Sequence, residues 1–439
     1  MQPQRIALPW RPPAQLAHAL AERWGPEGLI WLDGDGGPLG RWATLAAQPL
    51  EQRCCRGLPG EAGSADPFTA LAELGPGHWC GWLSYEAAAW VEPAPHWRSD
   101  AMAQLWIARH DPVLRCDRQE QQLWLEGCDP QRLRDWSDWL AELPPGPEPR
   151  STPGIPPAAW TWHSSNAAFA EGVRRIRDWI ACGDLFQANL TACCSATLPP
   201  AWEQHSAALA LFERLRRHCP APFAGLVVAG GAAAGEAVIS ASPERFLQVD
   251  AQGRVETRPI KGTRPRHGDP LRDADLAAEL VCSGKDRAEN VMIVDLLRND
   301  LGRVCTPGSI RVPQLVGLES YANVHHLTSV VTGQLRPACS WVDLLRACWP
   351  GGSITGAPKL RACQRLAALE PVSRGPYCGS LLRRDWDGSV DSSILIRTLL
   401  LSNRQLRLQA GCGIVTDSDP QEEAEEMGWK LNPLLQALA

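Results

Sequence analysis

Between Leu143 and Pro157 the chain reads LPPGPEPRSTPGIPP, and no other stretch limits its fold as much. Seven prolines fix φ and remove backbone donors, and two glycines favour turns. Neither a continuous helix nor a central strand can pass through such a segment. Residues 144–157 are therefore expected to be a loop between an N-terminal region, 1–143, and a larger C-terminal region, 158–439. A chain of 439 residues can bury a sizeable core in one large or two modest units. No internal repeat is visible.

After the loop the pattern becomes readable. Ser164, Ser165 and Asn166 are cap candidates, Phe169, Val173, Ile176 and Ile180 follow helical spacing, and Gly183 supplies a stop. Leu185 to Thr191 alternates like a strand, with Phe186, Ala188 and Leu190 on one face and Gln187 and Asn189 on the other. Short apolar strands are expected at Ala237–Ala241, Phe246–Val249, Ile394–Leu401 and Leu406–Ala410. Helices are expected at Arg287–Leu301, Trp341–Cys348 and Lys359–Leu369. A last helix runs from Pro420 to about Leu438, with Pro433 expected to kink or shorten it. Strands and helices without regular alternation point to an α+β fold with large mixed sheets and helices outside.

Composition excludes several classes. The formal net charge of -6 gives no general attraction to nucleic acid or anionic lipid. No run of 18 apolar residues is present to span a membrane. Met1 to Trp10 lacks the apolar stretch of a secretory signal, so the chain reads as cytoplasmic. The 16 cysteines are irregularly spaced and contain no C-x-x-C pair, which reads as reduced, mostly buried thiols and no structural zinc. The 20 tryptophans read as packing residues.

Four segments carry polar groups that packing does not call for. In Arg258–Thr263 (RPIKGT) Lys261 precedes a glycine that permits a tight turn or close approach to a ligand; a solvated loop lysine is the plain alternative. In Lys285–Asn290, Asp286 and Glu289 stand three apart and share a helix face. Glu423 and Glu426 repeat that spacing, with Lys430 on the same side. Each pair can serve a helix dipole, or the two can converge on Mg2+, a hard cation that takes one or two carboxylates and keeps several waters. Two glycine turns, Gly351–Lys359 (GGSITGAPK) and Gly411–Gly413, can offer N–H groups to an anion or be turns alone. The first is no Walker loop, because Leu360 follows Lys359 where Ser or Thr is required.

Together these segments resemble the chorismate-binding enzyme family, which includes anthranilate, aminodeoxychorismate, isochorismate and salicylate synthases. The matching stretches are GDLFQANL from Gly183, SPERF from Ser242, Arg258–Thr263, Lys285–Val304, His325–Leu327, Gly351–Lys359, Ile396–Thr398 and Gly411–Lys430. They run in the family's order from about Phe169 to Lys430; the N-terminal region matches chiefly through Gly81–Tyr85. Members that aminate C4 of chorismate share lysine at the position of Lys261, where anthranilate synthases typically carry alanine. Isochorismate and salicylate synthases typically place a lysine base where this chain has Gln187. The resemblance thus implies C4 amination, with the anthranilate reaction as the alternative.

The resemblance also implies roles. Mg2+ would be held by Glu289 and Glu426 with Asp286 and Glu423 in support. Lys261 would be a covalent nucleophile and Glu244 a general acid or base. Gln187, Thr355, Tyr377, Arg397, Gly411, Gly413, Lys430 and His326 would line the substrate site, with Arg397 and Tyr377 at the enolpyruvyl carboxylate. Ammonia would come from a separate glutaminase subunit, since the chain ends shortly after Lys430 with no fused glutaminase or lyase expected. Departures from the family are Cys412, Leu382 and Met427, and Trp31-Leu32-Asp33-Gly34 where a Leu-Leu-Glu-Ser motif often binds tryptophan.

Overall fold

The computed structural model describes residues 2–144, 154–200, 202, 204–321 and 324–439. Most of the proline-rich loop, 145–153, lies outside the described residues. Its flanks are pinned: Arg11 Nη2 donates to Leu143 O at 2.5 Å, and Ile155 N donates to Leu438 O at 2.7 Å.

Two large antiparallel sheets, of twelve and ten described strands, form the frame, so the fold is α+β as expected. Each sheet draws strands from both sides of the proline-rich loop. In the first, Ile30–Asp33 pairs with Phe223–Val228; in the second, His78–Leu83 pairs with Ser380–Arg384. Alternation along the strands decides which core each side chain enters. Ile30, Val227, Val238 and Leu400 point between the sheets, where they meet Trp79, Trp82 and Leu83. Their neighbours Trp31, Leu226, Ile239, Leu399 and Leu401 point the other way, under the outer helices Pro13–Trp24, Asn166–Ala181 and Pro420–Leu438. The result is helices, sheet, inter-sheet core and second sheet in layers. Trp31, Trp79, Trp82, Trp106 and Trp349 are among the largest fully buried side chains, in keeping with a packing role. All 16 cysteines are free thiols.

Local signals explain most elements. Ser165 caps the Asn166–Ala181 helix by accepting from Ala168 N, and Gly183 turns away at φ 78. Pro433 does not end the last helix, which continues to Leu438 because Leu431, Leu434 and Leu435 bury on its inner face.

Two expectations need correction. Ile394–Leu401 is not one strand. Val390–Ile394 belongs to the second sheet and Thr398–Ser402 to the first, and the chain crosses between them at residues 395–397. Arg397 makes the corner at φ 50, and the unbroken apolar run hides the crossing. The Lys261 segment is not a free turn. Ile260–Pro265 is an edge strand on Val324–Gln334, with its register broken between Ile260 and Thr263, so Lys261 and Gly262 form a bulge.

Candidate active site

The bulge aims a lysine at two carboxylates. Gly262 adopts φ 87, and a Cβ there would come within 2.9 Å of Asp286 Cβ and of Leu280 Cδ1. Only glycine lets the strand lie so close to the start of the Gly284–Gly302 helix. Lys261 Nζ then stands 3.9 Å from Glu289 Oε2. Its charge also acts on Glu244, which sits between the strands Glu236–Ser242 and Arg245–Val249 with 4% exposure. Burial pushes the Glu244 carboxyl up to about 7, against the opposing pull of a Ser353 hydrogen bond and the Lys261 charge.

The facing wall comes from the first sheet. Strands Gln187–Thr197 and Gln405–Ile414 pair so that Asn189 opposes Gly413 and Thr191 opposes Gly411. A Cβ on Gly413 would lie 2.7 Å from Gln187 Nε2, 3.1 Å from Glu289 Oε2 and 3.4 Å from Lys261 Nζ. Four elements thus bring an amide, a carboxylate, an amine and a bare backbone to one point. Both amide atoms of Gln187 are buried without a hydrogen-bond partner. Unpaired burial costs roughly 1–3 kcal/mol per group, which a polar ligand would recover. His326 Nδ1 shares a hydrogen bond with Thr263 Oγ1 at 2.8 Å, while its Nε2 is buried and unpartnered. Burial, aided by the Arg397 charge, pushes His326 down to about 3, so the ring is neutral. Among the described residues no carboxylate pairs with Arg397, so a structural ion pair does not account for it.

The second acidic helix, Pro420–Leu438, closes the site. Glu423 accepts from Ser418 Oγ at 2.6 Å and Lys285 Nζ at 2.9 Å. Glu426 pairs with Lys430 at 2.8 Å, and Lys430 also donates to Gly411 O at 2.9 Å. Asp286 lies 3.7 Å from Arg264. Burial raises Glu289, opposed by Lys261 and Lys285 and reinforced by the like charges of Asp286 and Glu423. Glu423, Glu426 and Cys412 place ligand atoms within 4.8 Å of one another. Burial pushes the Cys412 thiol up to about 12, so it stays protonated and is a poor ligand for a hard cation. Carboxylate oxygens are the ligand type such a cation takes; that group holds Glu423 and Glu426 but neither Glu289 nor Asp286, and Lys285 and Lys430 neutralise its two carboxylates.

Two expected residues sit differently. Thr355 donates its hydroxyl to Gly351 O, which closes its own turn, and its carbonyl accepts from Asn189 N at 2.7 Å. Tyr377 is packed in the inter-sheet core beside Cys378, whose N–H donates to Leu395 O. Leu32 and Asp33 line a separate cavity of about 590 Å3 that none of the expected site residues borders. Sequence reasoning missed Ser353, whose hydroxyl donates to Glu244 Oε1 at 2.6 Å. Its only signal was a hydroxyl residue following two glycines in a turn.

A family model described as chorismate binding enzyme matches residues 23–436. Aminodeoxychorismate synthase component 1 of Salmonella typhimurium is 35% identical over 465 residues, covering 100% of this chain and 99% of that protein. Anthranilate synthase component 1 of Streptomyces coelicolor is 37% identical over 417 residues, covering 87% and 79%. The crystal structure of anthranilate synthase component I from Streptococcus pneumoniae matches with a TM-score of 0.75 at 27% identity, covering 90% of this chain and 92% of that one. With its two-sheet frame, its convergent lysine and carboxylates and this extent of similarity, the chain belongs to the chorismate binding enzyme family.

Proposed function

We propose that the chain is an aminodeoxychorismate synthase large subunit, converting chorismate and ammonia to 4-amino-4-deoxychorismate for 4-aminobenzoate and folate synthesis. The observation that carries this reading is Lys261, set between Glu244 and Glu289 and facing Gln187 and Gly413. A nucleophilic amine beside a carboxyl poised near neutrality suits proton exchange during covalent catalysis. Similarity to relatives named for this reaction supports it.

In this reading Arg397 and Lys430 draw in the dianionic substrate, and Gly411 and Gly413 let its ring approach the backbone. Lys261 forms a C–N bond at C2 while the ring double bonds shift and the C4 hydroxyl leaves as water, taking a proton from solvent. Glu244 takes the proton that Lys261 loses. Ammonia then bonds to C4 and gives its extra proton to solvent, the double bonds shift back, and Lys261 leaves C2 as an amine with the proton held by Glu244. Neutral His326 and Gln187 offer uncharged hydrogen-bonding groups. Glu289 and Glu426, supported by Asp286 and Glu423, would hold Mg2+, which supplies positive charge to a substrate carboxylate when bound. Ammonia would be delivered by a separate glutaminase subunit.

One assay tests the reading: the purified chain with chorismate, Mg2+ and ammonium, and the product identified by mass and fluorescence. 4-Amino-4-deoxychorismate supports it; anthranilate in its place would transfer the chain to the other reaction.

A further inference from the structure

Ser353 reaches Glu244 from a turn that has no slack. It lies in the 3-10 turn Gly352–Ile354 and is 8% exposed. A Cβ on Gly351 would come within 2.8 Å of Ile394 Cδ1, and one on Gly352 within 2.6 Å of Leu296 Cδ2. Thr355 ties back to both glycine carbonyls, by its hydroxyl to Gly351 O and its N–H to Gly352 O. Arg374 Nη1 holds Ile354 O at 2.8 Å. The Glu244 backbone is equally fixed: its N–H donates to Ser242 Oγ at 3.2 Å and its carbonyl accepts from Ile394 N at 3.1 Å. Ile394 therefore serves both anchors, by packing on one side and by a hydrogen bond on the other. The distance between the two side chains is set by backbone that cannot easily move.

We propose that Ser353 is a positioning residue that holds the Glu244 carboxylate in place and governs its proton exchange with Lys261. The inference rests on the roles given above to Lys261 and Glu244. Ser353 donates to Oε1 at 2.6 Å, which leaves Oε2 as the oxygen that takes the proton from Lys261 as the C–N bond forms. The hydroxyl keeps donating to Oε1 once the acid is neutral, so the carboxyl does not swing away between the two displacements. A hydrogen bond to a charged group is stronger than one to its neutral form, so Ser353 favours ionised Glu244. Among the described residues, the Lys261 charge and the Ile260 backbone N–H also act on Glu244.

The test compares wild type with Ser353→Ala and Ser353→Cys by two readouts. One is the 13C NMR titration of Glu side-chain carboxyls, with Glu244 assigned by its loss in Glu244→Gln. The other is the pH profile of kcat/KM for chorismate. In Ser353→Ala the Glu244 midpoint should rise by about one pH unit, since the lost hydrogen bond favours the charged form and water recovers part of it. The acid limb of kcat/KM should move with it, while Ser353→Cys, a weaker donor, falls between. If Ser353→Ala does not fold, Ser353→Cys carries the same comparison. A midpoint unmoved in the folded variants, with kcat lowered equally at every pH, would reduce Ser353 to a spacer and overturn the proposal. If wild type makes no 4-amino-4-deoxychorismate, the functional reading fails on that result alone, and the NMR midpoint still decides whether Ser353 controls Glu244.

Discussion

In the function proposed above Lys261 and Glu244 are the two side chains on which the chemistry turns, and each makes a separable prediction. Lys261→Ala should lose most amination while still binding chorismate and Mg2+, measured by calorimetry. Lys261→Arg should not rescue it, because a guanidinium stays protonated and cannot attack carbon; an adduct on the Lys261 peptide, detected by mass spectrometry, is the direct readout. Glu244 holds its proton to about 7 in the fold against an ordinary 4.5, because burial disfavours its charge. Ionising it therefore costs stability as pH rises from about 4.5, and the cost is complete above about 7. Glu244→Gln should then be more stable than wild type at pH 8, by up to ~3 kcal/mol in denaturant unfolding, with the gap closing below pH ~4.5. The same variant should lose the rise in turnover through about pH 7, after correction for free ammonia.

The elements decide where these side chains meet, and they were unevenly legible. The Gly284–Gly302 and Pro420–Leu438 helices were legible from Arg287 and Pro420 onward, with the three-residue spacing of Asp286 with Glu289 and of Glu423 with Glu426. The bulge at Lys261 was not, because a register break depends on the partner strand, and RPIKGT alone does not reveal Val324–Gln334 beside it. Nor was the crossing at Arg397, where apolar residues continue from one sheet into the other. Of the basic partners, Lys430 beside Glu426 was legible from its spacing, but Lys285 was not, since it meets Glu423 only when two distant helices pack. Two predictions belong at this scale. Glu289→Ala and Glu426→Ala should each abolish Mg2+-dependent turnover with the circular dichroism spectrum intact; near-normal activity of both at limiting Mg2+ would remove the metal assignment. Gly413→Ala should keep its melting temperature within a few degrees yet lose chorismate binding. Its new methyl would displace the ends of Gln187, Glu289 and Lys261, and such tips yield more easily than backbone.

At the scale of the whole molecule, residues on either side of the proline-rich loop are woven into both sheets, and the family match runs from 23 to 436. The weaving was not legible in the sequence, because strand order in a sheet is a long-range property that local periodicity does not encode. Its consequence is that the described strands on both sides build one frame. A glutamine-hydrolysing activity would need a nucleophile, a base and a pocket of its own, and in the proposed function the groups gathered at Lys261 serve a dianionic ring and a carbon–nitrogen bond. The purified chain should therefore aminate chorismate with ammonium salts and not with glutamine. Its rate at fixed total ammonium should climb with pH, since ammonia attacks C4 only as the free base. Adding a glutaminase subunit should then make glutamine a substrate at neutral pH, where free ammonia is scarce. The measurement is product formation from 15N-amide glutamine with and without that subunit; labelled product from the single chain would mean that it carries its own glutaminase.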